Sequence, residues 1–155
     1  LEHLRRPVEA LRALRRVMKP NGTITLIEGD HGSTYFHPES TFARKAINCQ
    51  VTLQAQAGGN ANIGRSLYPL LLQSGFLSPR ISPRMVYVDG SKPELTERFT
   101  RKTFTVMIEG VRDQALNAGL MTPADFDQGI TDLHRTTRSD DVFCYTFFKG
   151  VAHAA

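Results

Sequence analysis

A chain of 155 residues, 41% hydrophobic and 22% charged, is long enough to bury roughly 70% of its unfolded surface around one core, so a single domain over 1–155 is expected. No window approaches the ~20 apolar residues of a membrane helix, and no charged, apolar leader opens the chain, so no membrane partner is expected and a cytoplasmic location is the simplest expectation. The net charge of +4 gathers in Arg5, Arg6, Arg12, Arg15, Arg16 and Lys19. That cluster has neither interleaved aromatics nor zinc-ligand spacing, so a solvated helix face is favoured over a nucleic-acid interface.

The first predicted element is a helix: Pro7 suits an opening turn, and Val8, Leu11, Leu14 and Met18 recur on one face. Lys19-Pro20-Asn21-Gly22 stops it, with Gly22 expected to take positive φ. Thr23–Glu28 is a short β-branched run that predicts a buried strand, followed by a polar loop, Glu28-Gly29-Asp30-His31-Gly32-Ser33. A helix starting near Pro38 carries Phe42, Ala46, Cys49 and Leu53 and ends at Gly58-Gly59-Asn60. Asn62 to Ser74 continues helically, with a kink or late start forced by Pro69 and a stop at Gly75. Because of Pro79 and Pro83, the next strand is confined to Arg84–Val88 and placed at a sheet edge. A long helical segment runs from Lys92 to Asn117, with a break at Thr103 to Thr105. A further helix opens on the capping box Thr122-Pro123-Ala124-Asp125. The last run, Val142–Phe148, is apolar almost throughout and reads as a central strand covered on both faces. Cys49 and Cys144 fall within regular elements and read as small buried hydrophobes, with no disulfide expected.

The order of these elements, with four local matches, resembles the C-terminal half of a class I S-adenosylmethionine (SAM) dependent methyltransferase of the type 11-like kind. Leu1-Glu2-His3-Leu4 resembles the segment after that family's fourth strand, and Leu14-Arg15-Arg16-Val17-Met18-Lys19-Pro20-Asn21-Gly22 the run before the fifth. Leu71-Leu72-Gln73-Ser74-Gly75-Phe76 resembles the helix end before the sixth strand, and Phe143 to Lys149 resembles the seventh. The resemblance implies an α/β, partial Rossmann-like fold, with a small mixed sheet equivalent to the fifth, seventh and sixth strands. A helical insertion of about 92–138 replaces the family's short hairpin. The glycine-rich loop and acidic residue that hold SAM in the family have no counterpart here, so the chain is expected to be a fragment, preceded by missing polypeptide and inactive alone.

On that resemblance, Leu1, Glu2 and His3 line the SAM pocket of an intact enzyme; alternatively Glu2 and His3 simply precede a helix. Asp30 and His31 stand where an acceptor approaches the methyl group, with His31 as general base oriented by the carboxylate; the competing reading is a turn with a solvated imidazole. Glu28, Asn60, Arg65 and Tyr68 are candidates to line the acceptor, or else ordinary surface and capping residues. Glu28, Asp30, His31 and His37 match no common metal-ligand spacing, so no metal is expected. The function expected is methyl transfer to a small-molecule acceptor. The alternatives are a non-enzymatic module that forms a homodimer through the exposed edge of the first strand and, more weakly, an arginine-dependent nucleic-acid binder.

Overall fold

The computed structural model describes residues 1–154. The elements are α1 (Pro7–Val17), β1 (Thr23–His37), α2 (Thr41–Gln56), a 3-10 turn (Ile63–Ser66), α3 (Leu67–Gln73) and β2 (Leu77–Val88). A helical stretch follows: the single turn α4 (Pro93–Leu95), a π-helix (Thr96–Thr105), α5 (Val106–Glu109), α6 (Arg112–Asn117) and α7 (Pro123–Arg135). The chain closes with β3 (Val142–His153). Among the described residues, no helix is long and apolar enough to cross a membrane.

The sheet has the order β1-β3-β2, with β3 antiparallel to both neighbours. Its central position follows from its composition, since alternate side chains must be buried in opposite directions. Phe143, Tyr145 and Phe147 face Phe99 and Phe104 of the π-helix. On the other face, Gly150 admits Leu67 and Leu71 of α3, and Ala152 packs with Leu11 of α1. The sheet is thus covered by α1 and α3 on one side and by the π-helix on the other. Helices α2 and α7 complete the larger core through Ala43, Ala46, Phe126, Ile130 and Leu133.

Several local expectations hold. Pro7 opens α1, the Thr122 hydroxyl accepts from the Asp125 N–H at the start of α7, and Gly75 takes φ +79 where α3 ends. Helix α3 begins only at Leu67, so Pro69 lies in its first turn, where no intrahelical N–H is required. Cys49 and Cys144 are buried free thiols.

Other expectations are corrected. The positive φ after α1 belongs to Asn21 (φ 59), whereas Gly22 is needed because a Cβ there would lie 2.8 Å from the Lys19 carbonyl oxygen. Leu14 is 47% exposed, so only Leu11 of the α1 stripe is fully buried. Strand β2 includes both prolines: Pro79 falls in a register shift and Pro83 pairs with Phe148, and both are tolerated because β2 is an edge strand. The segment from 28 to 33 is not a loop. Strand β1 continues through it to His37, with a bulge between Asp30 and Tyr35.

Candidate functional site

Extending β1 through its polar segment changes the meaning of every residue in it. The bulge satisfies its own backbone: the Ser33 hydroxyl donates to the Asp30 carbonyl at 2.7 Å and the Thr34 hydroxyl to the His31 carbonyl at 2.7 Å. Asp30 and His31 are therefore held inside the fold, 2% and 4% exposed, and His31 is not the solvated turn residue of one of the two readings. Adjacent strand residues point to opposite faces, and the two side chains go to different partners. Both Asp30 carboxylate oxygens accept from the Arg65 guanidinium, at 2.6 and 2.7 Å, in the bidentate geometry of a strong ion pair. Asp30 thus meets Arg65 and does not orient His31.

The orientation of His31 comes from the backbone. Its Nδ1 lies 3.0 Å from the Ala61 carbonyl oxygen, which can only accept, so the ring proton sits on Nδ1 and the lone pair on Nε2. Nε2 is buried without a partner. Burial is the largest influence on the ring and pulls its pKa below 6.5, against smaller opposing effects of the Ala61 bond and the Glu2 and Asp30 charges. At neutral pH the side chain is a neutral base.

Tyr145, which the sequence reading passed over inside an apolar run, stands beside it. Its Oη is 3.2 Å from His31 Nδ1, and the rings meet edge to face with centroids 5.6 Å apart. Since the Nδ1 proton is already directed to Ala61, the phenolic oxygen can only share it as an acceptor, which leaves the phenol's own proton to be donated elsewhere. Burial, reinforced by the Glu2 and Asp30 charges, pushes the Tyr145 pKa well above 10, so that proton stays in place. The phenol reaches this position because residue 29 is glycine: a Cβ there would fall inside the van der Waals shell of Tyr145 Oη.

His31 and Tyr145 form part of the wall of a cavity of about 240 Å³, closed on its other side by Phe99, Phe104 and Met107, with Glu2 among its polar residues. The π-helix supplies Phe99, Thr103 and Phe104 together. The β1 residues that line the cavity, Ile27, Glu28, Gly29 and His31, lie about the middle of that strand. A larger depression of about 590 Å³ near the start of α7 includes Lys45, Thr52 and Asp125 in its wall. Asn48 and Thr122 also line it, and its Cys49 thiol is pushed up by burial and stays protonated.

The remaining sequence candidates separate. Glu28 also lines the cavity, and its Oε1 accepts from the Leu1 backbone nitrogen at 2.7 Å. Of Leu1, Glu2 and His3, only Glu2 reaches the cavity; Leu1 packs against the core around Leu11, and the His3 side chain is 76% exposed. Asn60 works locally, its N–H donating to the Glu2 carbonyl and its Oδ1 accepting from Asn62. Arg65 serves Asp30, and Tyr68 is 51% exposed on α3. Two guanidiniums of the basic cluster are used at helix ends, Arg5 on the Ala57 carbonyl and Arg12 on that of Gln73. No His/Cys/Asp/Glu group suited to a metal ion occurs among the described residues.

The residues around this cavity do not fit a SAM molecule by themselves. A bound nucleotide-type donor needs glycines whose missing side chains leave room for the ligand. At the three glycines nearest the site that room is already taken by the chain: by Tyr145 at Gly29, by Arg65 at Gly32, and by the carbonyls of Glu28 and Gly29, each 2.8 Å away, at Gly64.

No family model matches the chain, and no curated protein matches it. Among solved structures it is similar to phosphoethanolamine N-methyltransferase 2 of Haemonchus contortus, determined in complex with phosphomonomethylethanolamine and S-adenosylhomocysteine. The TM-score is 0.42 at 12% identity, over 98% of this chain and 31% of that one. The chain therefore spans about a third of that protein's length.

Proposed function

We propose that the chain is the acceptor-side part of a SAM-dependent methyltransferase and that the cavity beside His31 holds a small-molecule acceptor. The reading rests on the sequence resemblance, and it is supported by a sheet in which the last strand runs antiparallel between the other two, as the seventh strand of that family does between the fifth and sixth. The observation that carries it is the buried His31, whose Nδ1 is committed to Ala61 and whose Nε2 has no partner. A neutral imidazole fixed in one tautomer beside a cavity is suited to taking a proton there once a small rearrangement uncovers Nε2, which has neither a partner nor accessible surface. Tyr145 adds a second polar group beside it, and Phe99, Phe104 and Met107 supply an apolar wall. SAM, when bound, would supply the methyl group. Its cradle is missing from these residues, so the donor requires further polypeptide and the isolated chain is inactive.

Calorimetric titration of the chain with SAM tests the first half of the reading: no micromolar binding is expected, and micromolar binding would refute the missing cradle. The second half is tested by nitrogen-15 spectra of the His31 ring during a screen of small hydroxyl, amine and thiol compounds. A screen in which nothing perturbs Nε2 would refute the acceptor cavity.

A second reading, assembly of two copies through β1, draws on one observation. Thr23–Ile27 have no strand on their outer side among the described residues, and Ile27 is 61% exposed, the kind of edge that invites pairing. Sedimentation equilibrium across micromolar concentrations decides it, since a monomer throughout would refute the dimer.

A further inference from the structure

We propose that the open groove between β2 and β3 is a second binding site, independent of the methyltransferase reading, that takes the phosphoryl group of a small molecule. Arg80, Ser82 and Arg84 of β2 and Lys149, Val151 and His153 of β3 line it, around a volume of about 360 Å³.

Sequence and register bring these residues together. Ser78-Pro79-Arg80-Ile81 is followed at once by Ser82-Pro83-Arg84. The step of four is even, so it puts Arg80, Ser82 and Arg84 on one face of an extended strand. Ile81, on the opposite face, lies against Gly150 together with Leu67 and Leu71 of α3. On β3, Arg80 pairs with Val151, Ser82 with Lys149 and Arg84 with Phe147. Lys149 therefore stands between the two arginines, as the diagonal neighbour of each at roughly 7–8 Å. The π-helix covers Phe143, Tyr145 and Phe147 on this same face, and its cover ends there: every residue lining the groove comes from β2 or β3.

Three cations thus share one open face with nothing to offset them. No carboxylate lines the groove, and none of the three enters an ion pair among the described residues. Like charges on neighbouring positions of a sheet are destabilising, and a bound anion reverses that effect. The donors fix the kind of anion. Two guanidinium forks, one ammonium and the Ser82 hydroxyl present many hydrogens, and the charged groups among them offer no acceptor. A phosphoryl group carries a charge of about −1.5 to −2 and three acceptor oxygens, and guanidinium forks meet its edges in bidentate pairs. A carboxylate brings a single charge and two oxygens, so it leaves two of the three cations unmatched. Nucleic acid is disfavoured because its bases need stacking partners, and no Phe, Tyr or Trp lines the groove. The volume is roughly twelve times the ~30 Å³ share of a water molecule, room for a phosphoryl group and a short carrier. The groove shares no lining residue with the cavity beside His31, uses no terminal charge, and lies across the sheet from the free edge of β1.

The test titrates the full chain with inorganic phosphate, acetate and a single-stranded oligonucleotide at fixed ionic strength, following the arginine Nε–H signals in nitrogen-15 spectra. Phosphate is expected to move the Arg80 and Arg84 signals saturably and to bind about tenfold more tightly than acetate. Arg80→Gln and Arg84→Gln should each weaken phosphate about fivefold, the loss of a charge-assisted bond at an exposed site. Arg84→Lys should recover only part of that loss, since it restores the charge without the fork. Arg16→Gln makes the same change of charge at an exposed position of α1 and should leave phosphate binding unaltered. An equal loss in Arg16→Gln would overturn the site in favour of overall charge. Acetate matching phosphate, or no saturable movement with phosphate, would overturn it as well. An oligonucleotide that moves the same signals at a lower phosphate concentration than inorganic phosphate would overturn the small-molecule assignment.

Discussion

Gly29→Ala is the substitution that most directly probes how the site is held. The glycine lies in β1, where alanine is ordinarily favoured over glycine by about 0.5–1 kcal/mol, and its φ is not in the left-handed region. Backbone conformation alone therefore predicts a small gain in stability. The packing predicts a loss. An added Cβ collides with Tyr145 Oη, while Cζ and Cε1 of the same ring stay at 3.2 and 3.4 Å, tight but near ordinary contact. The oxygen is rigid with its ring, so the whole ring has to move. Its movement separates the phenol from His31 Nδ1 and pushes the ring into Phe104 and Phe147, which lie 5.5 and 4.9 Å away between centroids. Overpacking of this kind costs about 1–3 kcal/mol. Tyr145→Phe deletes the offending oxygen and costs about 1 kcal/mol for the lost hydrogen bond. The double variant Gly29→Ala/Tyr145→Phe should then be less destabilised than the sum of the single variants by about 1–2 kcal/mol, the coupling expected of groups in contact. Urea unfolding followed by circular dichroism measures all four proteins. Additive effects, or a Gly29→Ala variant more stable than the parent, would refute the claim that the glycine exists to seat the phenol.

Thermal stability should fall as pH drops below about 6.5, because burial keeps the folded His31 pKa below its unfolded value and the unfolded chain then binds the extra proton. Melting scans of His31→Gln between pH 7.5 and 5 should lose that part of the slope; an unchanged slope would assign it to other groups. Tyr145 has the opposite sign: its raised pKa removes stability as pH climbs above about 10, and Tyr145→Phe should flatten that limb. Arg65→Met leaves the 3%-exposed Asp30 carboxylate unpaired. The cost should be about 2 kcal/mol, below the ~3–5 of a fully buried pair because Arg65 is itself half exposed. Adding Asp30→Asn should recover much of it in denaturant melts. Thr122→Ala removes the cap of α7 and should cost about 1 kcal/mol without altering the His31 ring spectrum.

What could be read from the sequence was what local chemistry decides. The apolar run Val142–Phe148 had to be a covered strand, Thr122 with Pro123 had to open a helix, and Gly75 had to close one. The second half of β1 was illegible because Gly29, Asp30, Gly32 and Ser33 are turn residues by preference. Pairing of Tyr35–His37 with Val142–Cys144 overrides that preference, and the bulge hides the polar groups that would otherwise oppose it. His31 was found for its chemistry but placed in the wrong surroundings, since a ring bonded to the carbonyl of Ala61, thirty residues away, leaves no local trace. Tyr145 carried a usable signal: a hydroxyl within a central strand must find a partner, and the partner marks the site. Phe99 and Phe104 could not be paired on one face, because their spacing belongs to no common helical period.

That spacing gives the π-helix its consequence. In ordinary α winding, residues five apart stand about 140° round the axis from one another, so only one of Phe99 and Phe104 could overlook Tyr145. With i→i+5 bonding, held by the Thr103 and Thr105 hydroxyls on the carbonyls of Arg98 and Thr100, both rings share an outlook. The bore of the chamber is accordingly set by residue count along one coil. Excising a single residue there would rewind it, turn one ring aside and widen the chamber with the sheet untouched, a route to bulkier guests that leaves His31 and its neighbour where they are.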